Sequence, residues 1–559
     1  MHPDKEGINR IVDILIEKGV KKFIISPGSR NAPLIKAFTN HPQAECYSVI
    51  DERSAAYFAM GIALKEQNPV AIICTSGTAV LNYAPAIAEA YYQQIPLIAI
   101  TADRPEEMID QREGQAIRQA NIYHNYIKAS CQFPQEPYDA NRLWHGDRMV
   151  SEMINKAKQQ PCGPIHINVP LREPLYNDGD YKEKNHKIIH TVTTKKSLSE
   201  ETINELAKQW NAFDKKMILT GVLHPDKELD NTLSNIAQDK SVAVLTERLS
   251  NLSIGNYHHN IDRLLNAIPT SEKHKYAPQL LITIGTDVVS KQIKQFLRTH
   301  KPDQHWHIDI SGNHTDTYKS LTHIIPVTPK TFFTQIVDKI TPSKIDYYNM
   351  WNTLNDIEKH NTFLQNAPWS DFKVFGKLLP QIPTNSVIHL GNSTPVRYAM
   401  LFEERKDVEW YANRGTSGID GIISTAAGFA SASKKINTVI SGDVSFFYDS
   451  NALWNKHLPN NLKIIVINNQ GGSIFRIIPG PASTGQLEDY FQTKQELNIK
   501  KMAEVFDLNY YFCDEKDNFN DVIKKVYQPH NKAVVLEIRT SGELNDIVLK
   551  NYFDNIKQL

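Results

Sequence analysis

Short apolar runs alternate along the chain with longer amphipathic stretches. "KKFIISPGS" reads as a strand entering a turn, and "DERSAAYFAMGIALKEQ" as a helix with small and apolar residues on one face. "PVAIICTSG" repeats the strand and turn, "TAVLNYAPAIAEAYYQQ" the helix, and "PLIAITADRP" is a strand followed by a loop. These runs are continuous rather than alternating in polarity, as expected of strands buried on both faces. Such a βαβ rhythm predicts a parallel sheet covered by helices. The helix "NRLWHGDRMVSEMINKAKQQ" and the strand "PIHINVP" complete this first unit.

From residue 176 to 196 the chain turns polar and charged and reads as a linker. "SLSEETINELAKQW" then opens a helix; Ser197 and Glu200 have capping-box spacing, with Ser199 an alternative cap. A second α/β unit follows, with strands "KMILTG", "VAVLTE", "LLITIG" and "HWHIDI". After a helical connector around Asp346 to Asn366 comes a third, with "SVIHLG", "VEWYAN", "NTVISGD", "KIIVINN" and "AVVLEIR". The pattern predicts an α/β protein of three tandem domains with parallel sheets, at residues 1–180, 198–345 and 360–559. At the level of letters no repeat is visible.

A chain of 559 residues is too long for one core, in keeping with three domains. Lys plus Arg and Asp plus Glu both number 62, and this balance argues against a nucleic-acid protein. Apolar runs reach about five residues against the roughly 20 that span a bilayer, and "MHPDKEGINR" has no signal-peptide pattern. The five cysteines are scattered without a C-x-x-C pair, which suits reduced thiols in a cytoplasmic protein.

Within "SGDVSFFYDSNALWNKHLPNNLKIIVINNQGG", two strands end in small polar residues, at Gly442-Asp443 and at Asn468-Asn469. If they are parallel neighbours, both tips lie on one edge of a sheet, the edge where open α/β sheets bind ligands. Asp443 and Asn469 would there offer hard oxygen ligands to a cation such as magnesium, and Gly471 leaves a carbonyl free to turn inward. Gly442 and the helix starting near Ser445 would admit a phosphate. Taken singly, each tip is also ordinary turn chemistry.

The spacing of "GD" and "NN" resembles the magnesium–diphosphate motif of the thiamin diphosphate (ThDP) enzymes, with Val444 where that motif has glycine. The resemblance implies that Asp443, Asn469 and the Gly471 carbonyl hold Mg2+, or Mn2+. It also implies a pyrimidine-binding, a central and a diphosphate-binding domain in that order. Glu52, at the start of a helix behind "YSVI", would be the carboxylate that activates the aminopyrimidine ring. "NRGTSGIDGIISTAAGFA" resembles the loop that bends the cofactor, with Ile419 as the apolar wedge and Ser417 beside it; Ser445 and Ile474 would complete the cofactor contacts. The family binds ThDP between two subunits, implying a homodimer or a dimer of dimers.

Cations recur after predicted strands: Arg30 with Ser29 in "SPGSRNAPL", Arg104 in "TADRPEE", Lys291 in "GTDVVSKQI", Arg397 in "GNSTPVRYA" and Arg414 in "YANRGTSG". In a chain of zero net charge, this set reads as a site for substrates with several carboxylates, which arginine binds through its planar fork. Together with "QAIRQ", "STAAG" and "NNQGGSIF", these motifs resemble one branch of the family. That branch decarboxylates 2-oxoglutarate and adds the succinyl unit to isochorismate. The resemblance implies that Ser393 and Arg397 hold the distal carboxylate of 2-oxoglutarate. Arg30, Arg104, Lys291 and Arg414 would serve isochorismate or shared carboxylates, with Gln115 near the reacting centre. Ile474, Phe475 and Ile478 would line the site. No histidine stands out as an acid or base. The nearest alternative in the family is an acetolactate-synthase-type enzyme; outside enzymes it is a scaffold paralogue without activity.

Overall fold

The computed structural model describes residues 2–181, 186–403, 405–478, 480–494 and 496–557. Three parallel sheets succeed one another along the chain. In the first the strands lie in the spatial order 45–48, 22–25, 70–74, 97–103, 165–170 and 129–132. In the third the order is 409–411, 387–390, 437–442, 462–468, 534–539 and 509–513. Numbered within each sheet, both read 2-1-3-4-6-5. The first and third domains therefore share a topology that no similarity of letters betrays. The middle sheet is smaller and runs 242–245, 216–220, 280–284, 304–308 and 323–325.

Central strands such as Val70–Cys74 and Leu462–Asn468 are buried along their whole length, so the continuous apolar runs answer to helices on both faces. Three edge strands, Ala129–Gln132, His323–Ile325 and Asn509–Cys513, escape the pattern. They are only partly buried and need no unbroken apolar run. Of the two candidate caps for the helix Glu200–Asn211, it is Ser199 whose hydroxyl accepts the Thr202 N–H, at 3.2 Å. The polar segment after residue 176 is partly docked rather than free. Asp178–Gly179 pairs antiparallel with His2–Pro3, and Lys18 reaches the Ile189 carbonyl at 2.7 Å.

The first and third domains share one hydrophobic core. Helix Glu52–Glu66 crosses helix Ile422–Ser431 at backbone contact, which glycine alone allows. A Cβ on Gly61 would stand 2.0 Å from the Thr425 carbonyl oxygen, and one on Gly428 would stand 1.9 Å from that of Phe58. The middle domain is latched to the third by buried arginines. Arg248 donates to the Phe402 carbonyl, and Arg263 pairs with Glu403 at 2.6 Å. No helix among the described residues is long and apolar enough to cross a membrane.

Candidate active site

The two polar strand tips lie side by side. Asn437–Gly442 pairs in parallel with Leu462–Asn468, with Gly442 opposite Ile467. Asp443 follows directly and begins the short helix Asp443–Tyr448. The Gly471 amide hydrogen-bonds the Asp443 carboxylate, closing the loop after the second strand onto the tip of the first. Gln470 and Gly471 both have positive φ, 64° and 141°, which turns the loop this sharply. Burial, with Asp371 nearby, pushes the Asp443 carboxyl up to about 7. Neither Asp443 nor Asp371 has a Lys or Arg ion-pair partner among the described residues. Asn468 is consumed structurally: its side-chain amide donates to Glu537 at 2.7 Å, its Oδ1 accepts the Gln470 N–H at 3.2 Å, and its backbone carbonyl accepts the Thr540 N–H. Asn469 is different. Its amide nitrogen donates to Asp371 at 2.9 Å, while its Oδ1 is buried with no partner. The Gly471 carbonyl accepts the Ser473 N–H at 2.9 Å, which leaves it one lone pair. A Cβ on Gly442 would meet nothing within 4 Å, so there is open space beside this edge.

A divalent cation fits this donor set. An unpartnered buried amide oxygen is costly, as is a buried carboxylate without a counter-charge; hard oxygen ligands are what magnesium takes.

The loop that carries Ser417 and Ile419 is tied to the same edge. Ser445, buried behind Asp443, donates to the Ile419 carbonyl at 2.7 Å. Asn392 donates to the carbonyls of Asn413 and Gly418, both at 2.7 Å. From the first domain, the buried Glu89 accepts the Gly415 N–H at 2.6 Å, the Thr416 N–H at 2.7 Å and the Thr416 hydroxyl at 2.6 Å. Ser417 itself sits at φ 64°. Ile474, Phe475 and Ile478 lie half-buried in and just after the helix Ile474–Ile477, with Phe475 against Phe491.

Glu52 opens its helix, with Asp51 as the N-cap accepting from Ser54. Half-buried, its carboxyl is raised above the usual range mainly by desolvation, with Asp51 adding to it. Asn82 lies 3.5 Å from its Oε2. Exposed apolar residues stand on the neighbouring segments: Ile50 two positions before it, Leu81 next to Asn82, and Tyr448 beneath Arg53. Arg53 stacks over the Tyr448 ring at 4.7 Å, and Asn451 binds Asp51 at 2.6 Å.

The cations fall into two groups. Arg30 and Arg104 flank Asp103, whose carboxyl burial raises to about 6. Arg30 binds the Leu171 carbonyl and Glu173, each at 3.0 Å, and Arg104 binds the Gly114 carbonyl at 2.7 Å; each keeps a buried, unpartnered Nε. Gln115, at φ 56°, has its carbonyl held by Ser76 at 2.8 Å, and its side chain stays exposed. Ser29 is exposed beside Arg30. The second group joins the middle and third domains. Arg414 is paired with Asp287 and with Asn392 at 2.8 Å. Arg397 has one long contact, to the Val289 carbonyl at 3.4 Å, and a buried, unpartnered Nε. Ser393, at φ 74°, stands just before the helix that carries Arg397, without a capping hydrogen bond from its side chain. Exposed Lys291 begins its own helix, and the two residues before it are fixed by the buried Glu247, which accepts the Val289 and Ser290 amides at 2.7 and 2.8 Å. Asp371, Glu89, Glu247 and Asp287 hold the candidate site residues or their loops, and the sequence alone does not mark them.

The comparisons with known proteins agree with this geometry. Residues 5–122 match the family model "Thiamine pyrophosphate enzyme, N-terminal TPP binding domain", and residues 391–538 match "Thiamine pyrophosphate enzyme, C-terminal TPP binding domain". Residues 179–385 match "Middle domain of thiamine pyrophosphate". A relative in Flavobacterium psychrophilum, 42% identical over 98% of both chains, is a 2-succinyl-5-enolpyruvyl-6-hydroxy-3-cyclohexene-1-carboxylate synthase. The chain belongs to this synthase family. Members of that name in Porphyromonas gingivalis and Bacteroides thetaiotaomicron are 38% and 35% identical, the first over 99% of this chain and 98% of its own, the second over the whole of both. The fold is shared more widely. The crystal structure of benzoylformate decarboxylase from Polynucleobacter necessarius superposes with a TM-score of 0.71 over 97% of this chain and 99% of its own, at 16% identity. Like the rest of the synthase family, the protein is a ThDP-dependent enzyme.

Proposed function

We propose that the protein decarboxylates 2-oxoglutarate and joins the remaining succinyl unit to isochorismate, a step of menaquinone biosynthesis. The reading is carried by family membership together with the unpartnered oxygen of Asn469 beside Asp443. Asp443, Asn469 and the Gly471 carbonyl hold a divalent cation, Mg2+ or Mn2+, and through it the diphosphate. Bound there, ThDP supplies the electron sink that decarboxylation and carbon–carbon bond formation need. Glu52 holds and returns a proton at its carboxyl oxygen, a task that its raised pKa suits. Ile419, its carbonyl held by Ser445, would be the apolar contact against the cofactor. Arg397, half-buried and without an ion-pair partner among the described residues, takes a carboxylate of 2-oxoglutarate with Ser393. Arg30, Arg104, Gln115 and Lys291 face isochorismate. Arg414, already neutralised by Asp287, shapes the pocket more than it adds charge to it.

The assembly is a homodimer or a dimer of dimers, with each site shared between the first domain of one copy and the third of another. Two observations support this. Ile50, Leu81 and Tyr448, on the segments next to Glu52, are exposed apolar residues that a second copy would cover. A cavity of about 910 Å³ among the three domains is lined by neither Glu52, Asp443 nor Asn469. The test supplies the protein with ThDP, Mg2+ and either 2-oxoglutarate plus isochorismate or pyruvate, and follows carbon dioxide release. Release from the first pair alone is expected; release from pyruvate with 2-oxoglutarate left untouched would reverse the substrate assignment toward an acetolactate-synthase-type reaction.

A further inference from the structure

Asn469 could place either end of its carboxamide toward the cation edge, and only the oxygen is of use to a metal. The choice is set on its far side. Asp371 lies at the start of helix Asp371–Leu378 and is fully buried. Its Oδ2 accepts the Asn469 amide at 2.9 Å, its Oδ1 accepts the Thr540 hydroxyl at 2.6 Å, and its backbone N–H donates to Asn545 at 2.9 Å. With no freedom left, this carboxylate presents only an acceptor to Asn469. The reverse rotamer would press two oxygens together in a buried site, so the amide nitrogen must face Asp371 and Oδ1 must turn away from it. That Oδ1 is the buried atom left without a partner.

We propose that Asp371 is a positioning residue for cation binding, fixing the Asn469 carboxamide with its oxygen presented to the metal. The inference rests on the cation–diphosphate assignment of this edge. Partners of this kind, one bond behind a ligand, change metal affinity about 10- to 100-fold when replaced.

The test titrates full-length protein with Mg2+ at fixed ThDP, reading tryptophan quenching, alongside a thermal melt. Asp371→Asn offers one acceptor where two are needed, so its Mg2+ Kd is expected to rise at least about tenfold, as when the group behind a metal ligand is lost. Thr540→Val keeps the Asn469 bond and should change Kd by less than about threefold. The exchanged pair Asp371→Asn with Asn469→Asp restores every hydrogen bond. The carboxamide now on the helix donates to the carboxylate now at the strand tip and accepts from Thr540, leaving a carboxylate oxygen for the metal. The pair should recover Kd to within about fivefold of the parent. Recovery by the exchanged pair supports the inference even if the single variant fails to fold. A folded Asp371→Asn with parental Kd, or a folded exchanged pair that binds no better than the single variant, overturns it. Failure of both variants to fold would assign Asp371 to scaffolding and overturn it too. Asp443→Ala separates ligand from support. If Mg2+ dependence survives in that variant, the cation assignment itself fails; if only the Asp371 variants are silent, the positioning role fails alone.

Discussion

Glu89 tests whether the first domain shapes the 414–419 loop of the third within one chain. It is 1% exposed, and its carboxylate receives two backbone amides and the hydroxyl from Gly415 and Thr416. Glu89→Gln preserves volume but turns one oxygen into an amide that must face a donor. One or two hydrogen bonds to a charged group are lost, each worth about 1.5–3 kcal/mol, and a buried N–H is left unpaired. Loosening of the 414–419 loop should therefore amount to about 2–4 kcal/mol. If that ordering must be supplied by the bound cofactor, ThDP affinity falls by roughly 30-fold at the lower figure and several hundred-fold at the upper. Amide hydrogen exchange at Gly415 and Thr416, measured beside a ThDP titration, reads both effects at once. Unchanged exchange with a ThDP Kd within about threefold of the parent would refute the clamp.

Other consequences are as direct. Glu52→Gln should abolish turnover while ThDP still binds, as judged by steady-state rates and fluorescence titration; parental turnover would remove its catalytic role. Chelation of divalent cations should release ThDP from the parent, whereas Asp443→Ala should bind ThDP weakly with or without chelator. Gly428→Ala drives a methyl into the Phe58 carbonyl; overpacking of this kind costs about 1–3 kcal/mol or more, so the melting temperature should fall clearly. His389, buried and bonded to Asn437, is pushed down to about 4. It is neutral when folded and protonated when unfolded between pH 4 and its usual value, so it removes stability as pH falls through that window. His389→Gln should flatten the pH slope of urea midpoints there by up to about 1.4 kcal/mol per pH unit.

What could be read from the letters was what repeats or concentrates. Continuous apolar runs marked the inner strands, and the small polar residues ending two of them marked the candidate edge. Asp443 and Asn469 were legible because strand tips are local features. Asp371 and Glu89 were not. An acid at or near a helix end has the signature of a solvated surface charge, and its partners lie 98 residues away for Asp371–Asn469 and 326 for Glu89–Gly415. The polar edge strands were missed because half-exposed strands carry no run of apolar letters. The 2-1-3-4-6-5 order shared by the outer domains stayed hidden because topology survives changes of sequence that erase similarity. Arg414 looked like its neighbours in sequence, yet Asp287 of the middle domain pairs with it directly, while Arg397 reaches only a backbone carbonyl.

The central claim is tested most directly by the mass of the product. Incubated with ThDP, Mg2+, 2-oxoglutarate and isochorismate, the protein should form one adduct equal to the sum of the two acids less carbon dioxide, and Glu52→Gln should form none. Carbon dioxide release with no isochorismate-containing adduct, or an equal yield from Glu52→Gln, would contradict the account.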